Sequence, residues 1–453
     1  MLCVALTPAS LEDVFTADLT GADCVEVRLD YMKDPPQSLQ ASWLRLNVPV
    51  IATCRRVERG GRFTGTIEQE HQLLQAAARN GAAYVDIDYR DARPVEGARL
   101  IASYHNFDET PSDVERHLDA ACEGPAQIGK VATMVQSWAD NHRLLRMIEK
   151  PRAKPVIVTG MGEIGQITRL AGPSRGSFLT YAATTQRSGE ASAPGQLSLH
   201  EMRNVYRIHR IHRSTKLLGV VGNRVGHSLG PVIHNRAFEQ AGVDFAYLRF
   251  PVFDVADFFE HAREIGIHGF SVTIPHKIAV LPYLAACSPE AVEVGAVNTV
   301  THADGYWLAD NTDVHGVRAA LASVNFDPAG KRVVILGTGG ASKAASVAVQ
   351  GAASVIALPR AELRNADRHP CDLLINATPV GMIPAIDESP IEGPIHADVV
   401  LDMVYIPAMT KLLTLAREQG KTIIPGSAMF YAQAARQFEI WTGQTPPAGA
   451  YAS

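Results

Sequence analysis

Lys130 lies inside an otherwise apolar run, Gln127-Ile-Gly-Lys-Val-Ala132. Desolvation disfavours an ammonium, and a neutral amine is a nucleophile towards ketones. The bland alternative is a lysine snorkelling at a strand end. Other polar residues close further β-rich runs. In Cys24-Val-Glu-Val-Arg-Leu-Asp30 a period of two puts Glu26 and Arg28 on one face, where a buried carboxylate-guanidinium pair is expected. Thr53 and Arg55, then Asp86 and Asp88, then Ser103-Tyr-His-Asn-Phe107 follow in the same way.

The second half carries different chemistry. Arg332-Val-Val-Ile-Leu-Gly-Thr-Gly-Gly-Ala-Ser342 is an apolar strand running into a glycine-rich turn and then a helix. Glycines at Gly337, Gly339 and Gly340 let backbone approach a pyrophosphate, and Lys343-Ala-Ala opens the helix whose N-terminal amides would hold it, with Ala341 and Ser342 in the same site. The next strand, Ser354 to Leu358, ends in Pro359-Arg360 where an NAD enzyme would carry a carboxylate for the ribose hydroxyls, so Arg360 favours NADP. Ahead of this stretch lie Gly226-His-Ser-Leu-Gly-Pro231, His234-Asn235, Ser271-Val-Thr-Ile-Pro-His-Lys277, Gly295-Ala-Val-Asn-Thr299 and Asp310-Asn-Thr-Asp313. Lys277 and Asp313 are candidates for a proton-relay pair. Each alone reads as a surface charge, but the glycine and proline settings point to fixed loops lining a cleft.

Two sets of elements must position these groups. From Leu2 to Thr185 short β-rich runs alternate with amphipathic segments. Eight runs begin near Cys3, Cys24, Val50, Tyr84, Leu100, Ile128, Val156 and Phe178, the rhythm of a (β/α)8 barrel whose polar residues sit at strand C-terminal ends. The basic stretch from Arg203 to Lys216 reads as the last barrel helix running into a linker, and its His209 and His212 as part of a solvated face rather than a metal site. A second α/β pattern starts at Leu217. The expected division is a barrel over 1–212 and a two-lobed unit over 213–453. In the latter, a substrate lobe at about 217–318 is joined by the C-terminal helix, and a Rossmann-type nucleotide lobe spans about 319–425.

Composition is that of an ordinary soluble globular chain long enough for roughly two to three domains. The chain has 453 residues, 46% hydrophobic and 20% charged, with a net charge of -5. That balance gives no support to nucleic acid or an anionic membrane as partner, and small molecules remain. Six scattered cysteines without a CxxC pair argue against a disulfide framework and a zinc site, and fit a reducing cytoplasm. No apolar run reaches the length of a membrane span, and the first residues carry no export signal.

Over residues 1 to 200 the sequence resembles the type I 3-dehydroquinate dehydratases. The likeness is carried by Glu26-x-Arg28-x-Asp30, Thr53-x-Arg55, His105, Lys130, Met161-Gly162, Arg169 and Ser192-Ala-Pro-Gly-Gln196. It implies that Lys130 forms an imine with the C3 ketone of 3-dehydroquinate and that His105 takes the C2 proton and assists loss of the C1 hydroxyl. Arg169, Ser192 and Gln196 would hold carboxylate and hydroxyls, with Glu26, Arg28 and Arg55 completing a metal-free pocket. Residues 217 to 443 resemble the shikimate dehydrogenases, adding Asn376-Ala-Thr-Pro-Val-Gly-Met382, Asp402-Met-Val-Tyr-Ile-Pro407 and Gly426 through Gln433 to Trp441-Thr-Gly443. By that likeness Lys277 and Asp313 handle the proton at the C3 oxygen, Asn298, Asn311 and Gln433 meet ring hydroxyls, and Ser228 and Thr273 take the carboxylate side. Asn376, Thr378 and Gly426 join the NADP site. The product of the first reaction, 3-dehydroshikimate, is the substrate of the second, which yields shikimate.

Three positions depart from the family patterns. Arg59, in Glu58-Arg59-Gly60-Gly61, stands where the dehydratases have an acidic residue. Gly230 replaces a second serine. Only 11 residues separate Arg360 from Asp372, so an edge unit of the nucleotide sheet is expected to be missing. These departures leave two further readings: a second site that also oxidises quinate beside a weakened dehydratase, and a non-catalytic metabolite-binding regulator. The sequence does not fix the oligomeric state.

Overall fold

The computed structural model describes residues 1–33, 43–184 and 193–451, and for 364–367 the backbone alone. The chain divides into two compact units, Met1–Lys216 with Asp244–Gly266, and Leu217–Val243 with Ile267–Ser453.

In the first unit, eight strands form one parallel sheet: β1 (Leu2–Leu6), β2 (Cys24–Arg28), β3 (Val50–Thr53), β4 (Tyr84–Asp88), β5 (Arg99–Asn106), β6 (Ile128–Met134), β7 (Val156–Met161) and β8 (Thr180–Ala183). Their order is β7-β6-β5-β4-β3-β2-β1-β8. A bridge between Val156 and Ser177, and the Phe178 N–H donating to the Val156 carbonyl at 2.8 Å, bring β7 to the start of β8 and nearly close the ring. The strand starts fall where the sequence pattern places them. Cys3, Cys24, Ile51, Ile101, Ile128, Ile157 and Leu179 pack together inside the barrel as its floor. Two residues further along the inward positions turn polar on every strand but β1, which has Ala5. Capping boxes start two of the covering helices, Thr66 with Gln69 before Ile67–Arg79 and Ser137 with Asp140 before Trp138–Glu149.

The basic stretch departs from the expected helix. A short π-wound turn covers Glu201–Val205, a 3-10 turn covers Ile208–Arg210, and Lys216 already begins β9 (Lys216–Gly222). β10 (Phe245–Pro251) and the helix Val255–Ile265 follow from the second half of the sequence but pack with the first unit. Trp138 is the reason: its indole meets the Phe258 ring at 4.8 Å and the Phe250 ring at 5.5 Å, and its Nε1–H donates to the Pro251 carbonyl at 3.2 Å.

In the second unit, β9 runs parallel to β11 (Ile267–Val272). β12 (Ala286–Cys287), β13 (Thr299–Ala303) and β14 (Tyr306–Asp310) extend that sheet in the order β11-β13-β14-β12. A separate parallel sheet holds β15 (Arg332–Leu336), β16 (Ser354–Leu358), β17 (Leu373–Asn376), β18 (Val399–Asp402) and β19 (Thr422–Ile424), ordered β16-β15-β17-β18-β19. Alternate residues of β15 feed two cores, Val333 and Ile335 on one face and Val334 and Leu336 on the other, as a sheet covered on both sides requires. β16 is an edge, followed by 3-10 turns over Arg360–Arg368 in place of a full helix-strand unit. Val355 and Ile356 there stay 39% and 38% exposed, which is what loss of a covering element leaves behind.

Candidate active sites

The second inward positions of seven of the eight barrel strands are polar and build a ring around Lys130, the exception being Ala5 on β1. Its Nζ donates to Asp86 Oδ2 at 2.7 Å and to the Tyr181 hydroxyl at 2.8 Å, and lies 3.7 Å from Glu26 Oε1. Ser103 donates to Asp86 Oδ1 at 2.7 Å, Arg55 reaches the same oxygen at 3.3 Å, and Thr53 donates to Glu26 at 2.7 Å. Burial opposes ionisation of Asp86, but the charges of Lys130 and Arg55 with their hydrogen bonds prevail and hold it below the ordinary carboxylate range. Lys130 is thus buried as the apolar run demanded, yet two carboxylates face its amine.

Glu26 and Arg28 share the inward face but are not partners. Arg28 makes a two-pronged pair with Asp30, Nε at 2.9 Å and Nη2 at 2.7 Å, because the chain turns immediately after β2 and folds the aspartate back. His105, Arg169 and Gln196 line the same cavity with Glu26, Arg28, Arg55 and Lys130. Ser192 lies outside the described residues. Burial, then the positive charges of Arg55, Lys130 and Arg28, hold the His105 imidazole well below its ordinary value. The ring is therefore neutral at neutral pH and ready to accept a proton. Arg169 is 2% exposed, and among the described residues its Nη2 donates to the Pro194 carbonyl at 3.4 Å while its Nε meets no partner. Burial pulls the guanidinium down to about 10.

The third βα loop brings no carboxylate to His105. Arg59 turns to Asp91 at 3.4 Å and Asp88 at 3.7 Å. Glu58, which a loop shift would have to carry inward, has a side chain 74% exposed and pairs with Arg56. Among the described residues none hydrogen-bonds or ion-pairs with the His105 ring. Sequence reading also missed Tyr181. Its signal was positional: it is the inward residue of the eighth strand one step above Leu179, just as Lys130 is one step above Ile128.

In the second unit Lys277 and Asp313 are in direct contact through Nζ and Oδ2. Asp313 begins the helix Thr312–Ala322, where the Asn311 side chain caps its N–H at 3.1 Å, so the helix N-terminus steadies its negative charge. Asn298 donates to the other oxygen of Asp313 at 2.9 Å, to Thr312 at 3.0 Å and to Gln433 at 3.3 Å, and accepts the Thr312 N–H at 2.8 Å. Asn311 donates to the Ala296 carbonyl at 2.8 Å. The amides of Asn298 and Asn311 are thus bonded within the protein and act as the frame of Asp313. Gln433, on the helix Gly426–Thr442, accepts from both Asn298 and Thr312. Ser228 accepts the Gly230 N–H at 3.2 Å at the start of the helix Gly230–Ala241. Thr273 packs its methyl where a side chain at Gly222 would go. His234, expected with the cleft loops, is buried inside that helix and meets the Tyr451 hydroxyl at 2.7 Å; burial pushes its imidazole down to about 3.

The glycine-rich turn abuts this pair. A Cβ on Gly340 would sit 3.4 Å from Lys277 Cδ. Gly337 has φ +111, a conformation that favours glycine, and Ser342 ties the turn by donating to the Gly337 carbonyl at 2.7 Å. The helix Gly340–Ala348 begins with Gly339 as N-cap and no side-chain cap, and nothing lies within 4 Å of a Cβ built on Gly339. Those features leave room and amides for a phosphate group, so the residues fit a dinucleotide. Thr378 adjoins Gly337, its methyl 3.2 Å from a Cβ built there, and donates to Asn376 Oδ1 at 2.7 Å. Asn376 in turn donates to Asp402 Oδ1 at 2.9 Å; burial pushes that carboxyl up to about 6. Gly426 packs against the Val404 backbone, and Arg360 is exposed at the end of β16.

The profile of the type I 3-dehydroquinase family matches residues 2–213, that of the shikimate dehydrogenase substrate binding domain residues 220–300, and that of the shikimate 5'-dehydrogenase C-terminal domain residues 426–450. A chloroplastic bifunctional 3-dehydroquinate dehydratase/shikimate dehydrogenase of Arabidopsis thaliana is 34% identical over 481 residues, covering 95% of this chain and 79% of the relative. A shikimate dehydrogenase (NADP(+)) of Bacillus cereus is 38% identical over 260 residues, covering 51% of this chain and 94% of the relative. A crystal structure of a shikimate dehydrogenase in complex with NADP+ aligns with a TM-score of 0.49 at 34% identity, over 53% of this chain and 94% of the other.

Proposed function

Because the chain belongs to the family of bifunctional 3-dehydroquinate dehydratase/shikimate dehydrogenases, we propose a division of labour in which 1–212 carries the first reaction and 213–453 the second. The enzyme dehydrates 3-dehydroquinate to 3-dehydroshikimate and reduces that product to shikimate with NADPH.

In the first site Lys130 forms an imine with the C3 ketone, which acidifies the C2 proton. Neutral His105 takes that proton and then assists loss of the C1 hydroxyl as water. Four cations, Arg28, Arg55, Lys130 and Arg169, stand with three carboxylates, Glu26, Asp30 and Asp86, an excess of one positive charge. A substrate with one carboxylate restores neutrality. Arg169 is its partner, since a buried guanidinium without a counter-charge is costly until a carboxylate arrives. Gln196 and Ser192 hold ring hydroxyls.

In the second site bound NADPH supplies the hydride that reaches C3. Lys277 and Asp313 deliver the proton to the C3 oxygen, with Asn298 and Asn311 fixing Asp313 and Gln433 completing the ring contacts. Ser228 and Thr273 face the substrate carboxylate. Gly337, Gly339, Gly340, Ala341 and Ser342 hold the pyrophosphate, Asn376, Thr378 and Gly426 border the cofactor, and Arg360 takes the 2'-phosphate. No helix among the described residues is long and apolar enough to cross a membrane. A cytoplasmic location, with small molecules rather than nucleic acid or membrane as partners, completes the proposal.

The observation that carries the reading is the buried Lys130 amine inside its ring of Asp86, Tyr181 and Glu26. Borohydride reduction in the presence of 3-dehydroquinate should fix substrate mass on the peptide containing Lys130. A label elsewhere, or none in an active enzyme, rejects the assignment.

A further inference from the structure

We propose that the Tyr181 hydroxyl is a catalytic group of the first site, moving protons between Lys130 Nζ and the substrate oxygen while the imine forms and while it is hydrolysed. The proposal rests on Lys130 being the imine-forming residue.

The geometry is specific. The Tyr181 hydroxyl lies 2.8 Å from Nζ, and its ring lies 4.4 Å from the same atom, so the phenol stands beside the amine rather than merely behind it. When Nζ attacks the ketone carbon, the substrate oxygen becomes an atom one carbon removed from Nζ. A hydroxyl that already hydrogen-bonds Nζ is then within reach of that oxygen. It can accept a proton from nitrogen while donating its own to oxygen.

The balance of atoms needs this transfer twice. In the first step the ammonium loses one proton through Tyr181 to the ketone oxygen as the N–C bond forms, giving a protonated carbinolamine. In the second, a further proton passes from nitrogen through Tyr181 to the hydroxyl. The C–O bond breaks, water leaves, and the nitrogen lone pair closes the iminium. The ammonium, the protonated carbinolamine and the iminium each carry one positive charge on nitrogen, so Asp86 is the counter-ion of all three. Asp86 itself is poorly placed to carry protons: Lys130, Arg55 and Ser103 all bind its two oxygens and hold it ionised. Tyr181 never needs to ionise, which agrees with burial and the neighbouring Glu26 driving its phenol well above the ordinary value.

Tyr181→Phe in the full chain tests this, because it keeps the ring and removes the hydroxyl. Rapid mixing with 3-dehydroquinate followed by a borohydride quench reads the rate of adduct formation on the Lys130 peptide. The proposal expects that rate to fall at least about tenfold, the lower end of what proton-transfer groups contribute. A defect confined to C2 proton abstraction would leave the rate of adduct formation unchanged. Adduct formation at the wild-type rate overturns the relay. Binding of quinate, which has no ketone, should be unchanged in the variant; if it is lost, the hydroxyl serves to build the pocket and the relay is rejected. An active wild type without a Lys130 adduct removes the Lys130 reading itself, and the relay with it.

Discussion

Each half of the molecule contains a lysine against an aspartate, Lys130 with Asp86 and Lys277 with Asp313, and the surroundings differ. The Lys130 side chain is 4% exposed and its aspartate is shared with Arg55 and Ser103. The Lys277 side chain is 18% exposed, its aspartate sits at a helix start under two asparagine amides, and a glycine turn lies beside it. One amine is walled in by strands on every side, so what enters the barrel must come to it as an electrophile. The other stands at the meeting of two loops where a cofactor can supply the new bond to carbon. The comparison teaches that residue type alone does not separate a nucleophile from a proton donor. The layer of neighbours does.

Exchanging the losses is the strongest way to break that contrast. Lys130→Ala should remove dehydration by roughly four orders of magnitude or more, the scale of deleting a nucleophile, and leave reduction of 3-dehydroshikimate nearly intact. Lys277→Ala should do the reverse, with a loss of about 10²–10⁴ in reduction as for a proton-transfer group. Separate assays of the enone absorbance of 3-dehydroshikimate and of NADPH oxidation read the two activities. If either variant loses both while folded, the two-site division is wrong.

Arg169→Met sharpens the charge side of the contrast. The variant deletes the buried guanidinium that lacks a carboxylate partner. Loss of a charge-assisted hydrogen bond costs about 1.5–3 kcal/mol, so kcat/KM for dehydration should fall by about ten- to a hundredfold. Thermal stability should hold or rise, because an isolated buried charge is replaced by an apolar chain of similar reach. Calorimetry showing a clear drop in Tm would mean that Arg169 is a structural cation instead.

How far the sequence revealed these sites follows from what each local pattern encodes. Period-two alternation put Glu26 and Arg28 on one face, the apolar run singled out Lys130, and strand ends placed these residues and His105 in the barrel mouth. Pairing was another matter. Alternation says which residues share a face but not which neighbour the turn after β2 folds back, so Asp30 rather than Glu26 became the partner of Arg28. Tyr181 escaped notice because an aromatic residue on a barrel strand reads as core; only the ring closure that sets β8 beside β1 gives it a catalytic neighbour. In the second unit the short span after Arg360 holds only 3-10 turns, and β16 is the edge of its sheet. The roles of Asn298 and Asn311 as a frame depend on three segments meeting, which no single motif contains.

The exposed end of β16 offers a smaller effect. Arg360→Ala should weaken NADPH binding by about tenfold and hardly change NADH, since a surface guanidinium meeting a phosphate is partly screened by solvent. Titration with both cofactors checks it, and equal losses would assign Arg360 to the fold of the shortened segment.

Gly230 gives the finest test, because the proposed reading puts it at the substrate end of the second site and it concerns a single hydroxyl. Its N–H already donates to Ser228, so the backbone is fixed and a serine at 230 would add a donor next to an existing one. Shikimate has a planar C1, whereas quinate bears an extra hydroxyl on a tetrahedral C1, so the missing side chain would favour the bulkier ring. The wild type is therefore expected to oxidise quinate measurably, with shikimate still preferred because the remaining ring contacts are retained. Gly230→Ser should raise kcat/KM for shikimate by several-fold, at most about tenfold, because a water can already supply part of the lost hydrogen bond. The same change should lower kcat/KM for quinate through crowding. Steady-state oxidation of both compounds with NADP+ decides the matter. No quinate oxidation in the wild type, together with no response of either substrate to the new serine, would remove Gly230 from specificity.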